Sequence, residues 1–272
     1  VKFYCGDLKM IELKNVVYTY SPKTPFEKTA LKGVSLSINQ GELVGIIGHT
    51  GSGKSTLIQL MNGILKPTGG EVLFNGEKVE KVNTKIGMVF QYPENQIFEE
   101  TIEAELKFGP KNIGMSPEEI DSEIKKAVNI MGIEGSLEKS PHFLSGGQKR
   151  KIAIASVLTM KPDILILDEP TAGLDPLSHR QLLETIVEMN KQGKTIILVS
   201  HSMEDIAEIA NRIIVLSEGN IFADGTAEEI FSRTDELQKL GLDIPEITKY
   251  MEEKGYPHIW TVEQATEILS NH

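Results

Sequence analysis

Apolar and polar positions alternate loosely over residues 11–20, and Val16, Val17, Tyr18, Thr19 and Tyr20 are the β-branched and aromatic side chains that suit a strand. Ser21, Pro22, Lys23, Thr24 and Pro25 break that pattern, and alternation resumes over residues 31–38. Asn39, Gln40 and Gly41 form a turn into residues 43–47, a short apolar run that predicts a buried strand. Over residues 54–65 the apolar Leu57, Ile58, Leu60, Met61 and Ile64 recur at helical spacing, and the segment Lys66, Pro67, Thr68, Gly69, Gly70 ends the predicted helix. Short strands are expected near 71–74 and 86–90, followed by a polar loop over 91–96.

Between residues 99 and 131 the period becomes helical. Ser116 reads as an N-cap, Pro117 as the first helical residue and Glu119 as the partner in a capping box. Ile120, Ile124, Val128 and Met131 then form one apolar stripe that belongs in a core. This block reads as a helical insertion. Beyond it a helix is expected over 149–160, and residues 164–167 are apolar throughout, as in a parallel strand buried on both faces. Helix 178–191, strand 195–200, helix 203–210 and strand 212–216 follow, an alternation that argues for a parallel sheet covered on both sides. From about residue 233 Gly241, Pro245, Gly255 and Pro257 punctuate short helical pieces. Thr261 and Gln264 make a second capping box, with Val262, Ala265, Ile268 and Leu269 as the apolar face.

The expected division is an N-terminal extension over 1–9, a main domain over 10–232 with a helical subdomain near 92–150, and a helical appendage over 233–272. The fold class expected is α/β: a core with a parallel sheet, an antiparallel β subdomain, the helical insertion and the small appendage.

Composition narrows the function. Across 272 residues the net charge is −11, against the basic surface that nucleic acid requires. Cys5 is the only cysteine, so a disulfide within the chain is excluded, and a reactive-thiol role for it has no support. No apolar run approaches the roughly 18–20 residues that cross a bilayer, and no basic-then-apolar signal segment opens the chain. The expectation is a soluble, cytoplasmic protein.

The chemistry concentrates after the strand at 43–47. Gly48, His49, Thr50, Gly51, Ser52, Gly53, Lys54, Ser55 and Thr56 form a glycine-rich turn leading into a helix, the pattern of a phosphate-binding loop, so the expected α/β core is that of a phosphate-loop NTPase. Glycines let successive N–H groups point at anionic oxygens, and the helix N-terminus adds positive potential. Lys54 can reach the terminal phosphates, and the Ser55 hydroxyl suits a Mg²⁺ ligand. Asp168, at the end of an apolar strand, is placed to hold Mg²⁺, and Glu169 to act as general base. His201 suits a donor to the γ-phosphate, and Tyr20, at a strand end, could stack on a nucleotide base or be an ordinary strand-end tyrosine.

With these residues, Gln91, the segment Leu144, Ser145, Gly146, Gly147, Gln148, and the pair Leu174–Asp175 in this order, the chain resembles the ATP-binding-cassette ATPases over about residues 10–230. No motif position departs from that pattern. The resemblance implies ATP as substrate, Mg²⁺ as cofactor, and a composite site in which Ser145, Gly146, Gly147 and Gln148 of a second subunit close over the γ-phosphate. It makes Tyr20 the adenine-stacking aromatic, Gln91 a Mg²⁺ and water contact, Glu169 the base, His201 the γ-phosphate sensor and Asp175 a cross-dimer contact.

A narrower likeness is carried by residues 24–27 and 48–51, by 91–96 with 98–101, by 108–111 and by the helical tail. Here the chain is similar to the ATPase subunits of energy-coupling-factor transporters, closest to the second of their two types. That implies a vitamin or metal-ion importer and a second cassette ATPase, as heterodimer or homodimer. It also implies a transmembrane scaffold docking near Gln91–Glu105, an interchangeable substrate-binding membrane component, and a peripheral place on the cytoplasmic face. Segment 91–106 carries Glu94, Glu99, Glu100, Glu103 and Glu105 and no lysine or arginine, which suits basic scaffold helices. The alternatives are another cassette importer, such as a cobalt or nickel system, or a soluble non-transport cassette ATPase. A small-molecule kinase would have no use for the segment at 145–148. The transported substrate is not encoded in this chain.

Overall fold

The computed structural model describes residues 9–135 and 137–270. Cys5 and all of the expected extension but Lys9 lie outside them. The chain forms two compact units, one from the residues up to Lys81 together with Ile197 onward, the other Val82–Ile196.

The first unit begins with β1 (Lys9–Tyr20), β2 (Lys28–Asn39), β3 (Leu43–Ile47), α1 (Lys54–Asn62), β4 (Gly69–Phe74) and β5 (Glu77–Lys78). Four of these make an antiparallel sheet in the order β2-β1-β4-β5, with Leu13 opposite both Leu36 and Val72, so the alternating apolar positions share one buried face. The helix α1 stops before the expected residue 65. Gly63 takes a left-handed φ of 87° and its N–H reaches the carbonyls of Gln59 and Leu60, a C-cap that leaves Ile64 exposed.

The second unit holds β6 (Ile86–Val89), α2 (Ile102–Asn112), α3 (Pro117–Met131), α4 (Gly146–Leu158), β7 (Ile164–Asp168) and α5 (Pro176–Lys191). Strands β6 and β7 pair in parallel, Met88 opposite Ile166. The helical block expected over 99–131 is two helices, with Thr101 and Ser116 as their N-caps and Gly114 between them at a φ of 78°. The stripe Ile120, Ile124, Val128, Met131 is buried as expected.

In β8 (Thr195–Val199) the chain passes back to the first unit, and α6 (Met203–Ile209), β9 (Arg212–Ser217) and β10 (Asn220–Gly225) follow. Strand β9 pairs in parallel with β3, Gly45 opposite Ile213, and β10 pairs antiparallel to β9. Arg212 fastens this corner: its guanidinium donates to both Asp224 oxygens at 2.6 Å and to the Ser37 carbonyl at 2.9 Å. The short helices α7 (Ala227–Phe231), α8 (Thr234–Lys239), α9 (Glu246–Glu253) and α10 (Val262–Ser270) complete the unit. Met251, Ile259 and Ala265 form a small core there, with Ile268 packed against it. Of the face expected on α10, Val262 and Leu269 point to solvent instead, because so small a core covers only one narrow stripe of the helix. Among the described residues no helix is long and apolar enough to cross a membrane.

Candidate nucleotide site

In the first unit the loop from Gly48 to Gly53 leaves the carboxyl end of β3 and enters α1. Glycine is required at two points. A Cβ at Gly48 would run into the Leu216 carbonyl oxygen, and Gly53 combines a φ of 111° with a Cβ position 2.8 Å from the Ala30 carbonyl oxygen. Gly53 caps α1 without a side chain, whereas Thr101, Ser116, Ser145, Asp175, Ser202 and Thr226 each lend an oxygen to their own helices. No side chain takes up that end of α1, and its positive potential suits an anionic ligand. Lys54 is buried, and its ammonium donates to the Gly48 carbonyl at 2.6 Å and the His49 carbonyl at 3.3 Å, which holds the cation over the loop.

Beside the loop lies a cleft of about 340 Å³ lined by Tyr20, Phe26, Lys28 and Ala30 and by Gly51, Gly53, Lys54, Ser55 and Thr56 of the loop. Tyr20 is anchored there by a hydroxyl–hydroxyl hydrogen bond to Thr56 at 3.0 Å and by an edge contact with the Tyr18 ring at 4.8 Å. His201 sits exposed between β8 and α6. The preceding Ser200 donates its N–H to the Ile46 carbonyl at 3.4 Å, so His201 stands at the same end of β3 as the phosphate loop. Tyr20, residues 48–56 and His201 therefore share one unit.

The second unit carries the other motif residues. Gln91 is exposed, two residues past β6, and is followed by Tyr92 at a φ of 56°. Asp168 ends β7, and both it and Glu169 are buried. Glu169 has a φ of 51°, although a residue before proline strongly prefers extended backbone. A left-handed, non-glycine residue costs about 1–3 kcal/mol. Such strain at a carboxylate following a parallel strand marks a group whose direction matters.

The segment Ser145 to Gln148 differs from expectation, because α4 starts at Gly146 instead of 149. Ser145 Oγ accepts from the Gln148 N–H at 3.3 Å, and Gln148 Oε1 accepts from the Ser145 N–H at 3.1 Å, a capping box that makes Gly146 and Gly147 the first helical residues. A Cβ on Gly147 would sit 3.0 Å from the Ser178 hydroxyl, whereas one on Gly146 would meet nothing within 4 Å. Asp175 caps α5 by accepting from the Leu177 and Ser178 N–H groups at 3.1 and 3.0 Å, and the Ser178 hydroxyl and N–H hold its carboxyl below the usual carboxylate range.

One residue that ties these pieces together was missed by sequence reasoning. Arg150 is only 3% exposed and donates to the carbonyls of Pro170 and Ala172, at 3.0 and 2.6 Å, and to both Glu94 oxygens, at 3.2 and 3.1 Å. It thus joins α4 to the loop after Glu169 and to the segment after Gln91. Its signal is a cation placed four residues before Ile154 and seven before Val157, on the buried face of the helix. Arg150→Met should cost about 2–3 kcal/mol by stranding these acceptors, and Glu94→Gln, which keeps an acceptor, roughly 1 kcal/mol. Urea unfolding midpoints at unchanged slope would measure both, and equal stabilities would refute the assignment.

The acidic segment is therefore not all available to a partner. Glu94 is committed to Arg150, Glu105 is buried and accepts the Phe98 and Glu99 N–H groups at 3.2 Å, and Glu103 is paired with Lys107. Glu100 is exposed and Glu99 partly so, beside the exposed rings of Phe98 and Phe108, which meet edge-on at 4.7 Å.

Comparison with known proteins matches this arrangement. The ABC transporter family matches residues 31–172. The energy-coupling factor transporter ATP-binding protein EcfA2 of Clostridium perfringens is 48% identical, the match covering 95% of this chain and 96% of that protein. Among solved structures, cbiO1 from Clostridium perfringens, part of the ABC transporter complex cbiONQ, is 37% identical with a TM-score of 0.76, over 91% of this chain and 100% of that one. A dimeric ATP-binding cassette in a post-hydrolysis state, bound to ADP and Pi, is 32% identical with a TM-score of 0.70, over 80% of this chain and 99% of that one. With the phosphate loop, the paired carboxylates and the helix-capping Ser145 segment all present, the chain belongs to the ABC transporter family of ATPases, among the energy-coupling factor transporter ATP-binding proteins.

Proposed function

We propose that this chain is the ATP-hydrolysing subunit that powers uptake of a vitamin or metal ion through an energy-coupling-factor membrane transporter. The observation that carries the reading is the loop at 48–54, where glycine and no side chain caps the helix and a lysine ammonium is held over the loop. The family relationship supplies the transport context.

In this reading residues 48–56 seat the phosphates and Tyr20 contacts the adenine. Glu169 takes the proton from the attacking water, and His201 donates to the γ-phosphate. Ser55, Gln91 and Asp168 offer only hard oxygen donors, which suits Mg²⁺, and they are the residues that would hold it. When bound, that ion would neutralise charge on the β- and γ-phosphates. Ser145, Gly146, Gly147, Gln148 and Asp175 serve the nucleotide of a second cassette ATPase, a heterodimeric partner or a second copy. The domain over 10–232 does this chemistry, and the appendage over 233–272 is an addition to it.

The chain works at the cytoplasmic face of the membrane, under a transmembrane scaffold and a substrate-binding component. Glu99 and Glu100, with the neighbouring aromatic rings, supply the charged and apolar parts of the scaffold joint. Replacing Glu99 and Glu100 together with lysine should leave ATP affinity unchanged while co-purification with the scaffold and ATP-driven uptake into vesicles are lost. Raising salt to 1 M, where the Debye length falls to about 3 Å, should weaken the parent joint as well. Retained pull-down and transport by the double variant would place the joint on another surface.

A further inference from the structure

Phe26 is 83% exposed, on the turn between β1 and β2. A solitary exposed aromatic is ordinary, but this one is neither solitary nor loosely held. It lines the 340 Å³ cleft with Tyr20, Lys28, Ala30 and the loop residues Gly51 and Gly53. The turn that carries it is pinned from within. Thr24 Oγ1 donates to the Ser21 carbonyl at 2.7 Å and accepts from the Phe26 N–H at 3.2 Å. The Glu27 N–H reaches the Thr24 carbonyl at 3.1 Å, and Glu27 Oε2 accepts from the Lys23 N–H at 2.7 Å. Ser21 and Lys23 hold positive φ values of 46° and 63°, a strained path that the hydrogen bonds stabilise. The Phe26 backbone is thus preset before any ligand arrives.

We propose that Phe26 is a second aromatic wall of the nucleobase site, acting with Tyr20 on the base of the bound nucleoside triphosphate. The inference rests on residues 48–56 being the seat of the phosphates. A triphosphate on that loop leaves its nucleoside end in the adjoining cleft, where Tyr20, Phe26 and Ala30 are the apolar side chains of the wall outside the loop. A flat, polarisable heterocycle is the group that gains most from such walls, and base–aromatic stacking tolerates different purines.

The test compares ATP with inorganic tripolyphosphate, which has the phosphates and no base. Binding of each is measured by calorimetry on the parent, Phe26→Ala and Phe26→Trp. Phe26→Ala should weaken ATP about tenfold and leave tripolyphosphate unchanged. Phe26→Trp should keep parent affinity and gain an indole emission that ATP quenches and tripolyphosphate does not, distinct from that of buried Trp260. Parent-like ATP affinity in Phe26→Ala, or an equal loss for both ligands, would overturn the inference. Failure of the parent itself to bind tripolyphosphate would instead remove the phosphate-loop reading beneath it. Because Phe26 buries so little surface, an unchanged melting temperature accompanies the expected result.

Discussion

The Glu169→Gln variant should bind ATP as tightly as the parent and turn it over about 10² to 10⁴ times more slowly, the usual loss for a general base. Glutamine matches glutamate in shape and keeps the left-handed backbone at a φ of 51°, so the site's geometry survives and only proton acceptance is lost. The Glu169 carboxylate is buried at the end of a parallel strand, and the amide fills the same space there. Melting temperature should therefore stay near the parent's while activity collapses, which separates lost chemistry from lost folding. With hydrolysis blocked, the variant should also accumulate as an ATP-bound dimer, seen by light scattering with Mg²⁺-ATP and the partner ATPase. Near-parental hydrolysis, or a strictly monomeric enzyme of full activity, would overturn the assignment.

Lys54→Ala should fail at the earlier step. The ammonium that donates to the Gly48 and His49 carbonyls is already desolvated and already over the loop, so little reorganisation is needed when phosphate arrives. A hydrogen bond to a charged partner contributes about 1.5–3 kcal/mol, so ATP affinity should fall about ten- to a hundredfold. Lys54→Arg should not rescue it. The planar guanidinium is bulkier than an ammonium and cannot enter a loop closed around a compact point charge. Equilibrium binding of a fluorescent ATP analogue separates these outcomes, and unchanged affinity in Lys54→Ala would refute the phosphate-loop role.

Motif chemistry was the most legible part of the sequence, because it demands fixed residue types at fixed spacing. The phosphate loop, the carboxylates at the end of β7 and the capping box at Ser116 could all be read from neighbouring residues, as could the α/β alternation itself. The start of α4 could not. Gly146 and Gly147 resemble a loop by propensity, and the Ser145–Gln148 capping box that overrides them is the same device recognised at Thr261 and Gln264. Strands β5 and β10 escaped because Glu77–Lys78 is too short to show alternation and Asn220–Gly225 mixes polar and glycine positions; each exists through pairing with its neighbour. Arg150 and Glu94 lie 56 residues apart and meet only in three dimensions. Phe26 has no periodicity to betray it, and its turn is legible only through side-chain hydrogen bonds.

The pairing of β3 with β9 bears on how this chain is made in the cell. The phosphate loop is complete in sequence by Thr56, yet its surroundings come from much later residues. The Leu216 carbonyl lies against Gly48, and Gly219 donates its N–H to the Ser52 carbonyl at 3.0 Å and accepts from the Lys32 N–H at 2.9 Å. At about 5–20 residues per second, on the order of ten seconds separate synthesis of the loop from synthesis of those supports. Meanwhile Val82–Ile196 leaves the ribosome as one continuous segment with its own strand pair and helices. This second unit can thus form its internal contacts while the phosphate loop made earlier still waits for its partner strand. During translation, competence to hold ATP arrives almost last, although its motif is among the first to emerge.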